Sequence, residues 1–130
     1  MPSADDIARA IAGKGSLRLQ PSGAYAANLL GLTEQVPMKL VFLTDGVSRT
    51  LHIGNQSILL KHTTPRNMAT AGRISGLVIQ ALRHFKHAHI DDQIVAKLKA
   101  RLTAEDKAVL LADVPLAPVW IADVMRRQLL

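Results

Sequence analysis

Basic side chains concentrate in the middle of this 130-residue chain. Nine of its sixteen Lys and Arg residues lie between positions 14 and 87, where the only acids are Glu34 and Asp45. Such a charge distribution favours an anionic partner, such as nucleic acid, a nucleotide or an acidic protein face. The alternative is a surface whose charge only keeps the protein soluble. We predict that nucleic acid or a partner contacts Arg18, Lys39, Arg49, Lys61, His62, Arg66 and Arg73.

The segment 61–67 carries the densest set of polar groups. It joins a Lys-His pair to two threonines, an arginine and an asparagine, just before a predicted helix. Hydroxyls, amides and guanidinium groups beside a helix start are groups that bind phosphates or acidic side chains. An ordinary solvated loop would have the same composition.

Catalytic combinations are weak in this sequence. Ser22 and Asp45 could be combined with His52 or His62 as a triad, but Pro-Ser-Gly is not a nucleophile elbow. A nuclease dyad with Lys61 would need an acid at position 59, which is leucine. We therefore predict a protein that is not an enzyme. The alternative is a nucleotide- or nucleic-acid-processing enzyme that uses segment 61–67 and the nearby histidines.

Metal and cofactor sites are also not indicated. The chain has no cysteine, which excludes disulfides and thiolate ligands. His84, His87 and His89 form the only metal-like cluster, yet histidines near a helix end are already favoured by the helix dipole. We predict no metal and no cofactor.

The composition predicts one folded domain over residues 1–130. Apolar residues make up 48% of the chain and aromatic residues only 3%, so the core must be aliphatic. The scarcity of aromatic residues argues against binding of single strands by base stacking. No signal peptide or membrane-length apolar run occurs, and we expect no membrane partner and a cytoplasmic location.

Residue periodicity predicts an α+β fold with a small, mostly antiparallel sheet and a helical C-terminal half. A helix with Ser3 as its cap comes first, and a short helix is expected over 24–30. Amphipathic patterning predicts further helices over 74–85, from Asp91 or Asp92, over 104–112 and around Ile121. The predicted strands are 16–20, 39–44, 47–53 and 57–62.

Turn and cap residues explain most conspicuous positions of segment 19–62. Ser22 is predicted to cap the helix entered through Gly23, and Gly31 to end it. Asp45-Gly46 predicts a tight hairpin, which would make 39–62 an antiparallel meander.

The same residues carry a resemblance. Pro-Ser-Gly at 21–23, Asn-Leu-Leu-Gly-Leu at 28–32, Thr-Glu-Gln-Val-Pro at 33–37, Thr-Asp-Gly at 44–46 and a short basic strand resemble the AbiEi antitoxin family over residues 17–62. The chain departs from the family pattern at Glu34, which is inserted between the threonine and the glutamine. The motif positions, for which we predict structural roles, are Ser22, Gly23, Asn28, Gly31, Gln35, Pro37, Asp45 and Gly46.

The resemblance implies a non-enzymatic antitoxin or transcriptional-regulator domain of a type IV toxin–antitoxin system. It implies a nucleotidyltransferase-like toxin as partner and double-stranded DNA as a second one. Family members place a winged helix-turn-helix before this region, whereas these 130 residues resemble the C-terminal part alone. The basic residues named above are therefore the ones we expect to contact DNA or the toxin.

Overall fold

A computed structural model describes residues 3–14 and 17–130. It confirms the α+β class: a four-stranded sheet packs with helices, and the C-terminal half is helical. The strands lie side by side in the order β1-β2-β4-β3. Their bounds are β1 Leu19–Ser22, β2 Lys39–Thr44, β3 Arg49–Ile53 and β4 Gln56–His62. The predicted start of the first strand, residue 16, lies outside the described residues.

The predicted hairpin at Asp45-Gly46 is wrong. Strand β2 pairs in parallel with β4, from Lys39 beside Ser57 to Thr44 beside His62, and β3 pairs only with the far side of β4. The second turn of the predicted meander is confirmed, because β3 and β4 form an antiparallel hairpin between Ile53 and Gln56.

Burial explains this strand order. Ile58 and Leu60 of β4 are fully buried, whereas Thr50 and His52 of β3 are exposed. The more apolar strand therefore takes the central position, and the more polar strand lies at the edge. Gly46 lies against Leu17 instead, and a Cβ at position 46 would lie 2.6 Å from the end of the Leu17 side chain, which would have to shift.

Several helices begin with the capping hydrogen bonds that their sequences predict. Ser3 and Asp6 bond each other's backbone N–H groups at the start of the first helix, and Thr103 and Asp106 do so before the fifth. Asp91 accepts the N–H of Ile94 at 2.9 Å. The helices are α1 Ala4–Lys14, α2 Gly23–Leu29, α3 Ile74–Phe85, α4 Asp92–Arg101, α5 Ala104–Asp113 and α6 Val119–Val124, with 3₁₀ turns at Pro65–Met68, His87–His89 and Val114–Leu116 and a π-helical turn at Met125–Leu129.

The core consists of two apolar clusters, and among the described residues only the first includes strand residues. Helix α1 presents Ala4, Ala8 and Ala12 to Phe42 and its neighbours on one face of the sheet, and these small residues let the helix lie close to the strands. In the second cluster, α2 and α3 pack with the C-terminal helices. This second cluster includes the fully buried Leu82, Leu98, Leu110, Ile121 and Met125.

Candidate functional site

Four of the predicted binding residues meet at one edge of the sheet, which we call the basic edge: Arg18, Arg49, Lys61 and His62. Strands β2 and β4 both end there, at Thr44 and His62, and antiparallel β1 and β3 begin there. Arg49 pairs with Leu60 and Lys61 with Leu43, so their side chains leave the edge on opposite faces of the sheet. All four residues are exposed.

Lys39 does not belong to the basic edge. It opens β2 beside Ser57, four residues before the pair formed by Leu43 and Lys61. At about 3.3 Å per residue this places Lys39 about 13 Å from the edge. Sequence reasoning grouped it with the others by charge alone, and only the strand register separates them.

Acidic partners are scarce around the basic edge. Within residues 3–14 and 17–130, ion pairs join Arg9 to Asp5, Arg73 to Asp113 and Arg127 to Asp123. None of the four edge residues takes part. Asp45 is the neighbouring acid, and its carboxylate accepts the backbone N–H of Arg18 at 3.0 Å.

Arg73, one of the predicted binding residues, has a structural role. It lies just before α3, where Nη2 donates to the Ala69 carbonyl at 2.5 Å. Its Nε lies 3.4 Å from Oδ2 of the buried Asp113, which has no hydrogen-bond partner there. This is a charge contact without hydrogen-bond geometry, and we place Arg73 with the framework.

His62 and Ser22 are held apart by the sheet. His62 Nδ1 lies 2.7 Å from the Gly46 carbonyl, and its backbone N–H donates to Ser48 Oγ at 2.9 Å. Ser22 pairs with Val41, three residues from the Thr44 pair, which is about 10 Å along the strands. No Ser-His-Asp arrangement therefore forms from these residues.

The predicted cap at Ser22 is also corrected. Ser22 occupies the N-cap position of α2 but makes no capping hydrogen bond. Its hydroxyl donates instead to Gln80 Oε1 at 3.1 Å, on a helix 58 positions further along the chain. The partner is therefore tertiary, where the sequence indicated a local one.

The remaining motif residues lie at the start of α2 and in the turn that follows it. Gly23 and Gly31 have φ of +60° and +74°, the left-handed region that favours glycine. Asn28 Nδ2 donates to the carbonyls of Thr33 and Gln35, at 3.3 Å each. The Gln35 residue is exposed and Pro37 is half-buried, so the turn is held by backbone groups and by Asn28.

The histidine cluster packs against aromatic side chains. His87 stacks on Trp120 with ring centroids 5.0 Å apart, and His84 meets Phe85 edge to face. Across the part of the chain that the structure describes, no group of three or more His, Cys, Asp or Glu side chains could hold a metal ion. Nor is any helix in these residues both long and apolar enough to cross a bilayer.

A second site, of which the sequence indicated only segment 61–67, lies beside that segment. The 3₁₀ turn Pro65–Met68 packs near α3 and encloses a cleft of about 190 Å³. Arg66 was predicted as a binding residue, whereas Arg83 was not. No sequence signal marks Arg83, because its partners come from the turn and the C-terminal helices. The cleft is lined by Arg66, Asn67, Thr70, Ile79, Gln80, Arg83, Leu116 and Pro118.

Buried Tyr25 belongs to the apolar cluster of α1 and Phe42. Its hydroxyl donates to Asp5, and its ring meets Phe42 edge to face at 5.5 Å. Burial, followed by the hydrogen bond to the Asp5 carboxylate and the charge of that carboxylate, raises the pKa of the Tyr25 phenol above its ordinary value of 10.0. This group therefore stays neutral and belongs to the framework.

Comparison with known proteins identifies one related group. Residues 1–110 match the family described as "Family of unknown function (DUF6088)". No curated protein matches the chain, and no solved structure does.

Proposed function

The chain belongs to the DUF6088 family, and because that family has no assigned function we propose one from the chain's own residues. We propose a non-enzymatic antitoxin or transcriptional-regulator domain, which binds a nucleotidyltransferase-like toxin and double-stranded DNA. The toxin–antitoxin class rests on the likeness of residues 17–62 to AbiEi antitoxins. The binding surface rests on the basic edge.

The observation that carries the binding role is the uncompensated charge of the basic edge. Arg18, Arg49 and Lys61 are exposed and have no carboxylate partner within 4.0 Å among the described residues. Arg49 and Lys61 leave the sheet on opposite faces, and among the described residues none of the three cations makes an ion pair that would stabilise the fold. An anionic partner is attracted by this positive charge, and release of counterions favours DNA binding further.

DNA binding is tested by a salt series. Fluorescence anisotropy with a double-stranded oligonucleotide is recorded between low and physiological salt. We expect a triple variant in which alanine replaces Arg18, Arg49 and Lys61 to bind DNA with a weaker salt dependence. The slope of log K against the logarithm of the salt concentration should become less negative by about 3, since each phosphate contact contributes about 0.9.

The chain supplies a matched control. Lys97, Lys99 and Arg101 are exposed on α4, and replacing all three by alanine removes the same formal charge. This control should keep the parental slope. Equal slopes in both triple variants would mean that net charge alone acts, and would refute the basic edge as the DNA surface.

Toxin binding is tested by co-expression with a nucleotidyltransferase-like toxin, the class of partner that the likeness to AbiEi antitoxins implies. The expected results are rescue of growth and a complex that survives size-exclusion chromatography. Rescue should be lost in the basic-edge triple variant if the toxin uses the same surface. No rescue and no complex with the parental chain would refute the toxin partner and leave the DNA role to stand alone.

The enzyme alternative makes a different prediction. It requires nuclease or phosphatase turnover that falls in both His62→Ala and Arg66→Ala. His62 Nδ1 already lies at hydrogen-bond distance from the Gly46 carbonyl, and Arg66 lies in the neighbouring cleft. Turnover that depends on both residues would replace the binding role by an enzymatic one.

A further inference from the structure

The cleft beside Arg66 combines cationic and neutral polar groups over an apolar floor. Arg66 and Arg83 are exposed, whereas Thr70 and Gln80 are buried, at 6% and 7% exposure. No Asp or Glu is among the lining residues. Ile79, Leu116 and Pro118 supply the apolar part. A cleft with two guanidinium groups and no acid suits an anion.

Hydrogen bonds fix which polar atoms remain for a ligand. Gln80 Oε1 accepts from Ser22 Oγ at 3.1 Å, which leaves Nε2 as the donor of that amide. Asn67 Nδ2 donates to Thr63 Oγ1 at 2.9 Å, which leaves Oδ1 as an acceptor. The guanidinium groups and Gln80 Nε2 are therefore donors of the cleft, and Asn67 Oδ1 is an acceptor. An anion that also carries a hydroxyl group fits this set.

We propose that the cleft binds the phosphate group of a phosphate ester, with Arg66 and Arg83 as its principal ligands. Guanidinium groups bind phosphate oxygens in pairs, which a lysine cannot do. The acceptor Asn67 Oδ1 then faces a sugar hydroxyl. At about 190 Å³ the cleft is smaller than the roughly 300 Å³ of drug-sized pockets, so it holds one phosphate and its sugar.

Two sources could supply this phosphate: the backbone of DNA held at the basic edge, or a free mononucleotide. The first deepens the proposed function, and the second is independent of it. Both use the same two arginines. Neither Arg66 nor Arg83 is removed in the basic-edge triple variant, so the two surfaces can be tested separately.

The first experiment is a thermal-shift titration with sodium phosphate, against sodium chloride and sodium acetate at matched ionic strength. Phosphate at ten times its Kd should raise Tm by about 5 °C. Arg83→Ala should abolish the rise, and Arg83→Lys should keep part of it. Arg101→Ala, which removes an exposed cation of α4, should keep all of it.

A second measurement separates the two sources. If the phosphate belongs to DNA, Arg83→Ala should lower the salt slope of DNA binding by about 1. If it belongs to a mononucleotide, adenosine monophosphate should raise Tm in the parental chain but not in Arg83→Ala, with DNA binding unchanged. Either result supports the cleft as a phosphate site.

Three results would overturn the inference. Phosphate could raise Tm no more than chloride, acetate could match phosphate, or Arg83→Ala could respond like Arg101→Ala. Because this titration contains neither DNA nor toxin, its failure would leave the basic edge untouched. Likewise, a failed DNA experiment would leave the phosphate titration valid.

Discussion

Gly76→Ala tests a close approach between α3 and β1. A Cβ at position 76 would lie 2.1 Å from Gln20 Oε1 and 2.6 Å from the Thr70 carbonyl oxygen. Gln20 has little room to withdraw, since it is 1% exposed and its Nε2 donates to the Pro21 carbonyl at 2.9 Å. The contact with Thr70 involves its backbone carbonyl oxygen, so a side-chain rotation cannot relieve it. The first turn of α3 would therefore have to move.

Two opposing effects decide the sign of this change. Replacing a helical glycine by alanine contributes about 1 kcal/mol of stability through helix propensity. Overpacking a buried site costs about 1–3 kcal/mol, and a backbone clash belongs at the upper end. We expect a net loss of about 2 kcal/mol in the free energy of unfolding. For a chain of this length, that lowers Tm by about 8 °C.

Urea denaturation followed by circular dichroism measures the effect, and Gly13→Ala is the matched control. Gly13 lies in α1, and no described atom comes within 4 Å of the position that an alanine methyl group would take there. This control should be as stable as the parent or more stable, by up to about 1 kcal/mol. A Gly76→Ala protein at least as stable as the parent would refute the close packing of α3 on β1.

A double variant locates the clash. Gln20→Ala removes the nearer of the two contacts, so Gly76→Ala should cost less in that background than in the parent. Equal costs in both backgrounds would assign the whole penalty to the Thr70 carbonyl.

Three further predictions concern the framework. Arg73→Ala leaves the Asp113 carboxylate buried without a countercharge and should lower the free energy of unfolding by about 2 kcal/mol in urea denaturation. This is less than the roughly 3–5 kcal/mol of a fully buried pair, because Arg73 is half exposed. A loss no larger than that of Arg101→Ala would contradict the contact. The raised pKa of Tyr25 contributes stability that is complete below about pH 10 and is lost as pH rises above it, so Tyr25→Phe should lose less stability than the parent between pH 10 and 12; parallel pH profiles would contradict the burial of the phenol. Asn28→Ala removes two long hydrogen bonds and should cost about 1 kcal/mol by the same urea assay, whereas no loss would show that the turn holds without them.

Features with local causes were predictable from the sequence. The reciprocal bonds of Ser3 with Asp6 and of Thr103 with Asp106 join residues three apart, so the residue types alone indicate them. Helix α3 and strand β2 have the predicted bounds, because periodicity over a single segment determines which face is buried. The charge surplus of residues 14–87 likewise follows from composition alone.

Features that depend on distant residues were decided by the tertiary structure. Asp45-Gly46 favours a hairpin locally, yet burial of Ile58 and Leu60 places β4 beside β2, so only the second turn of the predicted meander, at Gly54-Asn55, joins two paired antiparallel strands. The strand register places the cations of the basic edge at the same end of the sheet. Contacts between residues far apart in the sequence likewise join Ser22 to Gln80 and place Arg83 in the same cleft as Arg66. Residue types therefore determined that this protein is basic and α+β. Strand order and helix packing determined which of its cations share a surface, because the burial that selects them involves the whole chain.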